Sequence, residues 1–240
     1  MSFSRFSLSS GDVIQTVKQA VSIAGRVQDG NSKILGSTWS LPPTACKVGA
    51  KLIKVEGSTC SKCYDMKSYR MYPSVRKGRD NNLTLWDNAE TNGRDAIADL
   101  ATALAFQIDK ISKKKQKKGE AGAMLHRWFT GGDLQSVAML EAFAYVAKLL
   151  PHINFWLPTR EKAIVNKFYA KTLDIPSNLV IRVSAAMIDG QATAPQNTST
   201  VHKDGDAIGY DCPAYKQGGN CGDCTACWNS EVKNVSYKAH

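Results

Sequence analysis

Residues 124–185 read MLHRWFTGGDLQSVAMLEAFAYVAKLLPHINFWLPTREKAIVNKFYAKTLDIPSNLVIRVSA, and this stretch decides the fold. MLHRW is a short strand running into a glycine turn, and VAMLEAFAYVAKLL has the apolar spacing of a helix. INFWLPTR reads as a second strand, EKAIVNKFYAK as a helix and NLVIRVSA as a third strand. Strands alternating with helices across short loops predict parallel pairing through helical crossovers. The near-continuous apolar run at residues 153–157 suits a strand covered on both faces. The expected fold class is α/β, either a partial, open TIM-like barrel or a parallel α/β sheet. In both, functional groups gather at the carboxyl ends of the strands.

Toward the amino terminus, Val13, Val17, Ala20 and Val21 predict an amphipathic helix over residues 10–25 with Ser10 as its cap. Residues 34–39 read as a strand that ends at Leu41-Pro42-Pro43, and a cysteine-bearing loop follows. Residues 64–90 mix aromatic, basic and turn residues, so only fragments are assigned there. Ile97, Leu100, Ala101, Leu104, Ile108 and Ile111 mark a one-faced helix over 91–111. The basic run at 113–118 then reads as a solvated loop, with a nucleic-acid contact as the alternative. Residues 1–190 are expected to form the α/β core. Residues 191–240 read as a cysteine-rich lobe organised by metal rather than by its own hydrophobic core.

Across all 240 residues, 43% hydrophobic and 22% charged composition places the chain among globular proteins and excludes a disordered or fibrous one. No apolar run approaches the ~20 residues a membrane helix needs, and the first residues lack the layout of a signal peptide. The expectation is a soluble, cytoplasmic protein. The 31 Lys and Arg against 21 Asp and Glu leave a net charge of +10, which favours nucleic acid or another anionic substrate as partner.

The seven cysteines fall into two clusters, C-x13-C-x2-C at Cys46, Cys60 and Cys63, and C-x8-C-x2-C-x2-C at Cys212, Cys221, Cys224 and Cys227. An odd count in a cytoplasmic chain argues against a disulfide framework. Four thiolates close a coordination shell, which suits structural zinc or a [4Fe–4S] cluster, and Gly218, Gly219 and Gly222 let the backbone curl around it. Three thiolates leave one iron of a four-iron cube open, the position that catalytic metal chemistry uses. Alternatives are buried structural cysteines, or a second zinc site completed by His202 or His240.

A cysteine loop after the first strand, followed by a strand ending in Gly131-Gly132-Asp133, resembles the radical S-adenosylmethionine enzymes. The resemblance implies a [4Fe–4S] cluster on Cys46, Cys60 and Cys63 whose open iron binds S-adenosylmethionine, and an Asp133 that meets its ammonium group. The family's usual first spacing is shorter, and Asp133 stands where a Glu is usual. The segments TCSKCYDMKSY, FTGGD, FWLPTRE, IRVSAAMIDG and CGDCTACWNSEVKNVSYKAH are similar to the phage gene-product-eighty-eight group, which implies a protein working inside a bacterial host. In that setting a host reductant would supply the cluster's electron.

Roles follow for individual residues. Cofactor contacts are expected from Tyr64, Thr130, Gly131, Gly132, Asp133 and Ser184. Arg160 would pair with a carboxylate or phosphate, and His202 would contact substrate or move a proton. Plainer readings stand beside these: Asp133 as a helix cap, Arg160 as a solvated charge, Tyr64 as a core aromatic and Ser184 as a strand end. His126 is read as a core histidine and Trp228 as cover for the second cluster. The four-cysteine site is read as an auxiliary cluster, with zinc as the alternative. The competing function is a zinc- or Fe–S-stabilised phage nucleic-acid-binding or host-takeover protein without catalysis, using aromatic residues such as Tyr69 and Trp86.

Overall fold

The computed structural model describes residues 5–30, 34–172, 174–194 and 196–239. In chain order the elements are α1 (Val17–Ala24), β1 (Ser37–Trp39), α2 (Lys47–Leu52), α3 (Tyr64–Met71), α4 (Pro73–Asn92), α5 (Arg94–Lys117) and β2 (Leu125–Trp128). They continue with α6 (Val137–Leu149), β3 (Asn154–Thr159), α7 (Lys162–Lys171), β4 (Leu179–Ser184), β5 (Asn197–His202), β6 (Tyr210–Asp211) and β7 (Asn234–Lys238). The seven strands form one sheet in the order β1-β2-β3-β4-β5-β7-β6, and β1 and β6 do not meet. Every pairing is parallel, so the architecture is an open α/β sheet, as the alternation over 124–185 predicts.

Register separates the two faces. Side chains alternate across a strand, and the pairs His126↔Phe155, Leu157↔Ile181 and Thr159↔Val183 put these residues on one face. The helices cover this face. Trp128 stacks on Phe143 of α6 with ring centres 3.7 Å apart, and Trp39 meets both rings edge-on. His126 is fully buried here, hydrogen-bonded to Ser37 at 2.8 Å. Burial alone pushes its pKa down to about 3, so it is a neutral core histidine.

The other face carries Arg127, Trp156, Pro158, Arg182, Ser184, Asn197 and Ser199. No helix covers it. Its cover is the crossover from β6 to β7, residues 212–233, which holds the four-cysteine cluster. Arg182 fixes that crossover: Nε donates to the Cys227 carbonyl, Nη1 to those of Thr198 and Val232, and Nη2 to those of Ala226 and Asn229, at 2.7–3.3 Å. Trp228 sits edge-on to Trp156 and donates Nε1–H to the His126 carbonyl at 2.9 Å. Residues 197–238 therefore contribute three strands to the same sheet, and the cysteine-rich segment lies over its polar face.

Several expected elements differ. The first helix begins at Thr16, whose side chain accepts from the Gln19 N–H. Residues 6–14 turn back on themselves instead, through Ile14 N–H to Phe6 and Leu8 N–H to Asp12, and Ser10 bonds Asp12. Two helices occupy 64–92, where the sequence pattern supports only fragments. The basic run at 113–118 is the last turn of α5 and its cap rather than a loop, and Lys115 is buried against Asp29 at 3.1 Å. Trp86 is fully buried, so it cannot stack on a base, and the Tyr69 hydroxyl donates to Asp80.

Arg182→Met should leave several carbonyls facing an apolar side chain. Each orphaned acceptor costs about 1–3 kcal/mol, so the variant is expected to lose about 3 kcal/mol or more in urea unfolding. Arg182→Lys should lose less. An unchanged midpoint in the methionine variant would show that the crossover does not depend on this contact.

Candidate functional site

A cleft of about 270 Å³ opens at the carboxyl ends of β1–β4. The loop after β1 enters it through a short 3-10 turn, Pro43–Ala45, which delivers Cys46 to the first position before α2. Cys60 follows in a turn held by Ser58, and the Thr59 N–H bonds the Ala186 carbonyl, tying the loop to the end of β4. Cys63 stands immediately before α3. All three thiols line the cleft. A Cβ on Gly49 would stand 3.7 Å from both the Cys46 and Cys60 sulfurs, so those sulfurs lie within twice that distance of each other.

Burial pushes the Cys46 thiol strongly up, and Asp133, Cys60 and Cys63 add to the effect while Arg160 opposes it. Burial also raises Cys60, again against Arg160. Among the described residues, no group of three or more His, Cys, Asp and Glu side chains closes around a single metal ion. One zinc would draw its thiolates to about 3.8 Å from one another, given Zn–S bonds of about 2.3 Å. A four-iron cube spaces its ligands more widely, and a set of three soft thiols around an open cleft can hold one.

The glycine turn after β2 is packed tightly. Gly131 has no room for a Cβ because the Asp65 carboxylate and Arg79 guanidinium stand against it, and Gly132, at φ 79°, lies against Leu41. Asp65 and Arg79 are both buried, with Nη1 donating to both carboxylate oxygens and Nη2 to Thr130 Oγ1. The Tyr64 hydroxyl crosses to the Thr130 carbonyl at 2.9 Å although the ring is largely exposed, so Tyr64 is a cleft wall rather than a core aromatic.

Asp133 lines the cleft, yet its carboxylate is committed to the protein. Oδ1 accepts from the Leu134 N–H and the Thr159 hydroxyl, and Oδ2 from the Arg160 N–H at 2.9 Å. It is not the helix cap: Ser136 caps α6 by accepting from the Met139 N–H. The carboxylate instead stitches the end of β2 to the end of β3. Arg160 itself is held through Nε to Thr59 Oγ1 at 3.0 Å and lines the cleft. Glu161 next to it is buried and accepts from the Val48 N–H in the first turn of α2. Ser184 ends β4, lines the cleft and bonds Ser199.

His202 stands outside this lining. It is buried at the end of β5, bonded through Nδ1 to Ser236 and 3.7 Å from Asp211 through Nε2. His240 lies outside the described residues. Cys212, Cys221, Cys224 and Cys227 sit together on the crossover, where Gly218, Gly219 and Gly222 all take positive φ. Burial raises the Cys227 thiol to about 12, and it lies 3.2 Å from the Tyr237 hydroxyl. Tyr210 reaches Cys224 at 3.3 Å. The thiols of Cys212, Cys221 and Cys224 feel one another electrostatically.

Sequence reading missed Asp65, Arg79, Arg127 and Glu161. Arg127 had a signal, since it is the one charged residue in an otherwise strand-like LHRW. Asp65 follows Cys63 by two residues, but nothing in the spacing points to its partner on the next helix.

The family model described as gene product 88 matches residues 15–230. No curated protein matches the chain, and neither does any solved structure. No helix among the described residues is long and apolar enough to cross a membrane.

Asp133 gives a pH prediction. Burial raises its carboxyl from 3.8 to about 6, against the hydrogen bonds from Thr159, Arg160 and Leu134. The folded state therefore keeps a proton that the unfolded chain releases, so this contribution to stability is complete below pH 3.8 and is lost as pH rises through about 6. Across that window the unfolding free energy of Asp133→Asn should gain on the wild type's. Parallel pH profiles for the two proteins would contradict this.

Proposed function

This chain belongs to the gene product 88 family, and from the cleft it builds we propose an iron–sulfur enzyme of radical S-adenosylmethionine type. The observation that carries the reading is the convergence of Cys46, Cys60, Cys63, the Gly131-Gly132 turn, Arg160 and Ser184 on one cleft at the carboxyl ends of parallel strands. The three thiols would hold a [4Fe–4S] cluster. When bound, such a cluster supplies one electron at an iron with an open position, the input for reductive cleavage of S-adenosylmethionine.

The chain's own residues bind and orient. Arg160 presents a planar fork to the methionine carboxylate. Asp133 is assigned a positioning role, because its oxygens fix the backbone on which Arg160 stands. The close fit of Gly131 and Gly132 against Asp65 and Leu41 keeps the turn low, so a ligand can approach backbone rather than side chain. Tyr64, Ile53 and Pro158 give the cleft apolar lining, which would limit water around the reacting groups. Cys212, Cys221, Cys224 and Cys227 would hold an auxiliary cluster, with zinc as the alternative. The setting is the cytoplasm of a bacterial host, whose reductants would supply the electron.

A second reading, a metal-stabilised nucleic-acid-binding protein, draws on the net charge of +10. It also draws on a groove beside the cleft lined by Lys62, Lys67 and Arg70. It requires no S-adenosylmethionine.

Anaerobic purification with iron, sulfide and zinc counted per chain separates the two, followed by electron paramagnetic resonance of the reduced protein with and without S-adenosylmethionine. The expected result is about eight irons and a spectrum changed by S-adenosylmethionine. Cys46→Ala should lose about half of the iron and all of that change. About four irons without a spectral change would favour the binding reading, and zinc alone would remove the radical mechanism.

A further inference from the structure

Four arginines stand at the cleft or on the sheet face beneath it, and their donors are used differently. Arg182 gives all of its donors to carbonyls, and Arg79 gives both Nη groups to Asp65 and Thr130. Arg127 and Arg160 are anchored by Nε alone, Arg127 to the Phe129 carbonyl at 3.1 Å and Arg160 to Thr59 at 3.0 Å. Both line the cleft. Neither forms an ion pair or a further side-chain hydrogen bond with any described residue.

Arg127 is the more restrained of the two. Its guanidinium centre lies 4.4 Å from the centre of the Trp156 ring, a stacking contact that fixes the plane and leaves the Nη edge available. Arg127 acts electrostatically on the Asp65 carboxyl and also on the Cys221 and Cys227 thiols and the Tyr237 hydroxyl, without a hydrogen bond to any of them. Arg79 already occupies both Asp65 oxygens, so that partner is closed. A half-buried guanidinium held in one orientation, whose Nη edge has no hydrogen-bond partner among the described residues, suits an external anion.

We infer that Arg127 determines substrate specificity by binding an oxyanion, carboxylate or phosphate, carried by the second ligand in the cleft. The inference rests on the proposed function for there being two ligands: Arg160 takes the methionine carboxylate on the rim, and Arg127 takes the substrate's anion on the sheet face. The substrate class is a small acid or phosphate ester rather than a neutral molecule.

The test is titration calorimetry on the full-length protein, purified anaerobically. Inorganic pyrophosphate and malonate serve as the phosphate and carboxylate probes, and S-adenosylmethionine is titrated separately. At least one probe should bind the wild type, Arg127→Gln should weaken it by about tenfold or more, and Arg127→Lys should fall between. S-adenosylmethionine affinity should be unchanged in both variants. If the glutamine variant misfolds by circular dichroism, the lysine variant decides alone. Probe affinity equal in wild type and folded variants would overturn the inference, as would no binding of either probe at about 10 mM. Loss of metal from Arg127→Gln with unchanged probe affinity would also overturn it, by assigning the guanidinium to the thiol cluster. A wild type that binds pyrophosphate through Arg127 but ignores S-adenosylmethionine would sink the proposed function and leave the anion site standing.

Discussion

The buried guanidinium of Arg182 is the contact on which the polar half of the molecule depends. It has no carboxylate partner, and burial lowers its pKa. Its charge is balanced by carbonyls, two of them from the 3-10 turn Ala226–Trp228. The carboxyl end of a helical turn carries partial negative charge and unpaired acceptors, so the turn and the cation satisfy each other. A parallel strand pair needs a long crossover, and helices fill that role between β1 and β2, between β2 and β3 and between β3 and β4. Between β6 and β7 a cysteine-rich loop does so, and Arg182 is what holds an irregular segment against the sheet face.

That arrangement also shapes the cleft. Where the crossover lies on Trp156 and Arg182, the face is closed. Where it stops, Arg127 is left facing the same space as Cys46, Cys60 and Cys63. The walls of that space are polar groups that satisfy one another: Asp65 with Arg79 and Thr130, Asp133 with Thr159 and the Arg160 backbone, and Tyr64 with the Thr130 carbonyl. Buried polar groups are tolerable only when paired in this way. With these pairs closed, the thiols and the Nη edges of Arg127 and Arg160 are among the described lining groups still able to engage a ligand.

The sequence made the alternation over 124–185 legible because its helices and strands bury apolar side chains at their own periods. It hid α4 for the opposite reason. The buried stripe of that helix is Arg79, Asn82, Trp86 and Ala89, and half of it is polar. Asn82 is buried because it donates to the Ser40 carbonyl and accepts from the Arg26 N–H, contacts that no hydrophobic pattern announces. Only Pro73 at its start and Gly93 past its end marked the helix. The cysteine spacing pointed to the cleft, and the Gly131-Gly132-Asp133 turn did too. What Asp133 does was not legible, since its partners Thr159 and Arg160 come from a strand that only the fold brings alongside.

The cleft's scaffold is independent of whatever the thiols hold. The pairs that shape it join carboxylates, hydroxyls, guanidinium groups and backbone, and none of them is a cysteine contact. Burial pushes the Cys46 and Cys60 thiols up, against the opposing charge of Arg160. A metal bound by these thiols would have to displace their protons. The sheet's polar contacts at Arg182, Asp65–Arg79 and Asp133–Thr159 do not run through these sulfurs, so a cysteine variant is expected to keep the cleft. Loss of ligand binding in a cysteine variant then reports on the thiol itself.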